Sequence, residues 1–118
     1  MDFTQVKVTI INPVSALESN VDLLVDTGAL LTSVPRKILE SLEIKPIGKR
    51  KLRVYGGQII EREVAAALIK YGNVKAGVTV LFAEEKDTPV LGATALEALG
   101  YQVDPITKQL KPAELLMV

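Results

Sequence analysis

The chain has 118 residues, no cysteine, no histidine, and 14 acidic against 14 basic side chains. That excludes disulfides, Cys- or His-ligated zinc sites, Ser-His-Asp triads and Cys-His dyads, and no basic excess points to nucleic acid or an anionic membrane surface. Any catalysis falls to carboxylates, lysines, hydroxyls or a cofactor, and the expectation is that it uses no cofactor and no metal.

The length suits a single domain, 1–118, with a modest core. Apolar residues make up 48% of the chain, yet only three tyrosines and two phenylalanines are aromatic, so aliphatic side chains must fill that core. The longest hydrophobic run, Ala76 to Ala83, is far below the roughly 20 residues that span a bilayer. The chain opens with the acidic Met1-Asp2-Phe3-Thr4, and Lys7 interrupts the next apolar stretch, so no signal peptide is expected. The expectation is a soluble, cytoplasmic protein that binds neither nucleic acid nor membrane. The local basic cluster Lys45, Lys49, Arg50, Lys51 and Arg53 reads as a solvated loop and strand start.

Val6, Val8 and Ile10 alternate with Lys7 and Thr9, which predicts a half-buried strand ended by Asn12-Pro13. Val21 to Val25 is short and nearly continuously apolar, as expected deep in a sheet. Leu30, Leu31 and Val34 continue in extended form. Pro35 opens a helix, where its missing N–H is tolerated, with Ile38, Leu39 and Leu42 on one face. Lys51 to Val64 reads as a hairpin tipped by Gly56-Gly57, a two-residue turn with positive φ at both positions. A second hairpin runs from Ala65 to Phe82 around Gly72-Asn73. Thr88-Pro89-Val90-Leu91-Gly92 leads into a short helix, with capping-box spacing between Thr94 and Glu97 and a stop at Gly100. Val103, the Asp104-Pro105 turn and Leu110 predict a last hairpin before the apolar tail Leu115-Leu116-Met117-Val118. The pattern is mainly β with two short helices, closed or sandwiched.

The chemistry-bearing feature is Asp26-Thr27-Gly28, delivered by the strand that ends at Val25. On local grounds it is equally a plain turn, in which Asp accepts nearby amide hydrogens and Gly takes positive φ. Gly56-Gly57 is equally a plain hairpin tip, and Tyr55 a packing residue. Asp87-Thr88-Pro89 is no second copy of the tripeptide, because proline stands where the glycine would be.

Three segments in order give these features a context: Leu24-Val25-Asp26-Thr27-Gly28-Ala29, then Val54-Tyr55-Gly56-Gly57-Gln58, then Val90-Leu91-Gly92 with a helix and Val103-Asp104-Pro105. Together they resemble the retropepsin-like aspartic proteases, over Val21 to Leu110. The resemblance implies one half of the acid-protease fold, a closed β-barrel or sandwich. It implies an aspartic endopeptidase that works as a homodimer on peptide or protein substrates, one Asp26 from each copy sharing a proton and activating water. Thr27 would brace the two loops across the axis, Gly28 and Ala29 would admit substrate backbone, and Tyr55, Gly56, Gly57 and Gln58 would form a flap. The apolar tail would extend an interface sheet or fold back onto the core. Retroviral members pair an acid with an arginine at the positions held here by Leu30 and Ala93. Both partners are absent together, so no charge is stranded.

Two other readings fit the same residues. One is a catalytically silent dimeric module presenting a peptide groove. The other is an aspartyl phosphotransferase using Asp26, which needs a second acid where the chain has Gly28, and a metal site.

Overall fold

The computed structural model describes residues 4–114. The apolar tail 115–118 lies outside the described residues. In chain order the elements are β1 (Gln5–Ile11), β2 (Glu18–Val25), β3 (Thr32–Pro35), α1 (Arg36–Ser41), β4 (Gly48–Arg53), β5 (Ile59–Tyr71), β6 (Val74–Ala83), β7 (Val90–Leu91), α2 (Ala93–Leu99), β8 (Tyr101–Val103) and β9 (Leu110–Pro112).

Strand alternation decides the first pairing. In β1, Val6, Val8 and Ile10 are buried while Gln5 and Lys7 face solvent. β2 alternates as well: Val21 and Leu23 are buried and Asp22 is exposed, so this strand has one wet face and is not apolar throughout. The two pair antiparallel from Gln5 opposite Leu24 to Ile11 opposite Glu18. Asn12 closes their turn, its carboxamide oxygen accepting the amides of Val14 and Ser15 and its nitrogen donating to the Leu42 carbonyl beyond α1.

The sheet order is β3-β6-β5-β1-β2-β7, with β4 attached only to β5. β5 is one continuous strand of 13 residues. Its first half pairs with β4 and its second half with β6 and β1. Gly72 at φ 59° makes the β5–β6 turn, as the Gly-Asn pair predicted. β3 runs parallel to β6, and β7 parallel to β2.

The ladder does not close into a barrel. Its end strands β3 and β7 meet through side chains instead. The Ser33 hydroxyl accepts the Val90 amide at 3.0 Å, and the Thr32 hydroxyl accepts the Gly92 amide at 3.0 Å. Alternation predicted β1, but this meeting of β3 and β7 depends on two particular hydroxyls.

The core is aliphatic, with Val8, Ile10, Leu23, Val34, Leu39, Ile69, Val80 and Leu91 fully buried around Phe82. α1 seats Leu39 against it, Leu42 just past the helix adds to the same cluster, and α2 seats Ala95, Leu96 and Leu99. Pro35 is both the end of β3 and the residue that caps α1. Gly92 precedes α2, so Thr94 is not its cap and the capping box does not form; Gly100 at φ 77° ends the helix as expected. The β8–β9 hairpin packs beside the sheet, Tyr101 meeting Tyr71 edge to face at 4.9 Å.

Candidate active site

β2 ends at Val25, and the parallel partner β7 takes over the next hydrogen bond: the Asp26 amide donates to the Leu91 carbonyl at 3.0 Å. The chain then turns. Ala29 donates to the Asp26 carbonyl at 3.1 Å, and the Gly28 amide donates to the Asp26 carboxylate at 3.0 Å. Gly28 is not in the left-handed region, so the plain-turn explanation of this glycine does not hold. What its bare Cα provides is room: a Cβ there would stand 3.2 Å from the Asp26 carboxylate. Asp26, Thr27 and Gly28 are all exposed.

The turn rests on the start of α2. Ala93 donates to the Ala29 carbonyl at 2.8 Å, and both the amide and the hydroxyl of Thr94 donate to the Leu30 carbonyl, at 3.1 and 2.7 Å. Gly92 lies so close that a Cβ would come within 2.6 Å of the Leu31 carbonyl carbon and oxygen. Backbone meets backbone with no side chain between. Leu30 and Leu31 form a bend here and not an extended run, and Leu30 is exposed.

The other predicted residues, Tyr55, Gly56, Gly57 and Gln58, occupy the tip of the β4–β5 hairpin. The turn is centred on Tyr55-Gly56, because Gly57 donates to the Val54 carbonyl at 2.9 Å. It is therefore one residue out of the expected register. Positive φ at Gly56 (98°) is what the third position of a type II turn requires. Val54 donates to the Gln58 carbonyl at 2.9 Å, and the Arg53 guanidinium donates to the Gly57 carbonyl at 2.9 Å. Tyr55 is fully exposed and is not part of the packed core among the described residues. The tip stands free: a Cβ at Gly56 or Gly57 would meet no atom within 4 Å. The structure thus gathers Asp26, Thr27, Gly28 and Ala29 into one braced loop and sets residues 55–58 on a separate hairpin.

Residues 6–95 match the family model described as Aspartyl protease. The chain belongs to the aspartyl protease family. Among solved structures it is similar to a retropepsin-like aspartic protease from Rickettsia conorii, with a TM-score of 0.51 and 15% identity over 88% of this chain and 89% of that one. No curated protein matches.

In this aspartyl protease chain the sequence reading missed three contributors. Thr32 and Ser33 fasten β7, and their hydroxyls sit in an otherwise apolar stretch, the one signal available. Thr94 fastens the Leu30 carbonyl. The third is a set of ion pairs between β5, α1 and the loop before β7. The Arg62 guanidinium grips Asp87 with two bonds, 2.7 and 2.8 Å, and the Glu84 amide donates to the same carboxylate at 2.8 Å. Arg36 grips Glu84 with two bonds of 3.0 Å, reaches Glu63 at 2.6 Å, and lies 4.8 Å over the Phe82 ring. The bond from Arg62 holds the Asp87 carboxyl below its ordinary range, and Arg36 does the same for Glu84. Among the described residues no acidic cluster could hold a metal ion, and no helix is long and apolar enough to cross a membrane.

Proposed function

We propose that this chain is an aspartic endopeptidase that works as a homodimer, with Asp26 of each copy at the two-fold axis. The observation that carries the reading is the Asp26 loop: an exposed carboxylate at a strand end, braced from beneath by the Leu91–Thr94 segment, in a member of the aspartyl protease family. Family membership implies peptide or protein substrates.

Hydrolysis of a peptide bond by carboxylates alone takes two of them around one water, one charged and one protonated. One chain carries one Asp-Thr-Gly, and a two-fold axis supplies the second. The charged carboxylate takes a proton from water as that water attacks the carbonyl carbon. The protonated one hydrogen-bonds the carbonyl oxygen as negative charge develops there. Like charges in contact cannot both persist, so the pair keeps one proton between them, and activity belongs at acidic pH. Thr27 braces the two loops across the axis, and Gly28 and Ala29 leave space for substrate backbone. The Tyr55–Gln58 tip closes over the bound peptide and excludes water. One domain of residues 1–118, acting in the cytoplasm, completes the proposal.

The test joins solution mass to the activity of Asp26→Asn. The wild type should sediment as a dimer and cleave a mixed peptide library at acidic pH. Asp26→Asn should keep that mass and lose cleavage, because the amide cannot act as base. Equal cleavage by wild type and variant, or a strictly monomeric active protein, overturns the reading. A dimer that binds peptides and cleaves none would instead be a binding module.

A further inference from the structure

The β4–β5 hairpin is held by few contacts. β4 pairs with β5 alone, and its residues Gly48 to Lys51 are all exposed. At the tip Tyr55 is fully exposed, and among the described residues no atom lies within 4 Å of where a Cβ at Gly56 or Gly57 would stand. Where the hairpin joins the body of the sheet, however, the Arg62 side chain leaves β5 and meets Asp87 in a two-bond grip. The two side chains are only 19% and 23% exposed, so water and salt screen the pair weakly. The carboxylate is already fixed by the Glu84 amide, and Glu84 is itself fixed by Arg36, which rests on the fully buried Phe82. A prearranged, two-point charged bond costs little ordering when it forms and is among the stronger hydrogen bonds available.

Asp87 also has a particular place in the chain. Three residues later comes Val90, whose amide binds Ser33, and then Leu91, whose carbonyl receives the Asp26 amide. The hairpin base is therefore fastened to the same short segment that carries the Asp26 loop. We propose that Arg62 and Asp87 are positioning residues that tie the base of the β4–β5 hairpin to the wall behind Asp26 and so set how the Tyr55–Gly57 tip is presented to substrate. The tether stands on geometry alone. What the tip does once positioned rests on the peptidase reading.

The experiment uses the full chain, with Asp87→Asn and Arg62→Met. Asparagine keeps an acceptor for the Glu84 amide while removing the charge, and methionine keeps most of the stem of Arg62. Amide hydrogen exchange is followed by mass spectrometry on peptides from 48–64 and from β1 and β2, and kcat and KM are measured on a cleaved peptide. In both variants, exchange over 48–64 should quicken roughly tenfold, about 1.4 kcal/mol, while β1 and β2 keep their rates. KM should rise several-fold with a smaller change in kcat. Unchanged exchange in the hairpin, or equal quickening in β1 and β2, overturns the tether, because the pair then serves nothing or serves the whole fold. Local quickening with kcat and KM both unchanged overturns the presenting role. Local quickening in a protein whose wild type cleaves no peptide supports the tether and overturns the peptidase reading alone.

Discussion

Replacing Gly92 with alanine puts a methyl group where backbone already stands. The new Cβ would lie 2.6 Å from the Leu31 carbonyl carbon and oxygen and 2.9 Å from the Ala29 oxygen. Ordinary contact begins near 3.4 Å, and these neighbours are main chain, unable to swing aside. The 29–31 segment and the start of α2 must separate. Overpacking of this kind costs about 1–3 kcal/mol. Separation also strains the bonds from the Gly92 amide to Thr32 and from the Ala93 amide to Ala29, each contributing about 0.5–1.5 kcal/mol. A total of about 2–6 kcal/mol, at roughly 4 °C per kcal/mol for a chain of this size, lowers Tm by about 8–24 °C. Gly28→Ala is the control. Its Cβ would stand 3.2 Å from one carboxylate oxygen of Asp26, the end of a movable side chain, and Gly28 is not in the left-handed region. It should lower Tm by no more than about 4 °C and still abolish cleavage, because the carboxylate is what moves. Thermal melts followed by far-ultraviolet circular dichroism, with peptide cleavage on the same samples, decide the matter. A Gly92→Ala protein that melts within about 2 °C of wild type would refute the close-packing argument.

Three further outcomes are expected. Thr32→Val keeps the shape of a fully buried residue but strips the Gly92 amide of its acceptor; urea unfolding should show a loss of about 1–3 kcal/mol, and no loss would mean that the amide finds another partner. Valine at both Gly56 and Gly57, where φ is 98° and 88°, should depress peptide turnover far more than Tm, since the tip packs on nothing; equal loss of both would assign the glycines to folding alone. Asp87 and Glu84 titrate below their ordinary values of 3.8 and 4.5 in the folded chain, so the folded state binds fewer protons than the unfolded one in that range. Their contribution is complete above about pH 4.5 and drains away as the pH falls through the lowered values. Denaturant unfolding across pH 2–6 should therefore show a shallower acid slope for Asp87→Asn than for wild type, and identical slopes would contradict the ion-pair assignment.

The elements visible in the sequence were those specified by neighbours in the chain. Val6, Val8 and Ile10 are buried because every second residue of a strand faces the same way. Gly72-Asn73 turns the β5–β6 hairpin and Gly100 ends α2 because those positions need positive φ. Local rules misled where several turns satisfy one composition. Two glycines suggested a two-residue turn, but the hydrogen bond from Gly57 to Val54 centres it on Tyr55-Gly56. Thr94 and Glu97 have the spacing of a capping box, yet the backbone is already helical at Ala93, and the Thr94 hydroxyl goes to Leu30.

The same division runs through the candidate site. Asp26 could be found because its strand, its turn residues and Ala29 are consecutive. The residues that fix it are remote: Leu91 and Thr94 lie more than sixty positions away, and Thr32 is fastened to Gly92 across a separation of 60. No periodicity connects such positions, since the sheet order brings β7 against β2 and the Thr32 and Ser33 hydroxyls join it to β3. Arg62 and Asp87, separated by 25 residues, are equally silent in the sequence, where each is one charge among 28. A carboxylate at a strand end becomes a usable catalytic group only if its loop cannot drift by an ångström, because misplacement on that scale can cost about a hundredfold in rate. In the proposed peptidase the tripeptide would supply the group, and the fastenings from 91–94 its precision. The absence of a charged pair at Leu30 and Ala93 is then intelligible. With the Ala29 and Leu30 carbonyls already held by three hydrogen bonds, the loop has its brace without placing an ion pair beside Asp26, where desolvation would set its cost against its attraction.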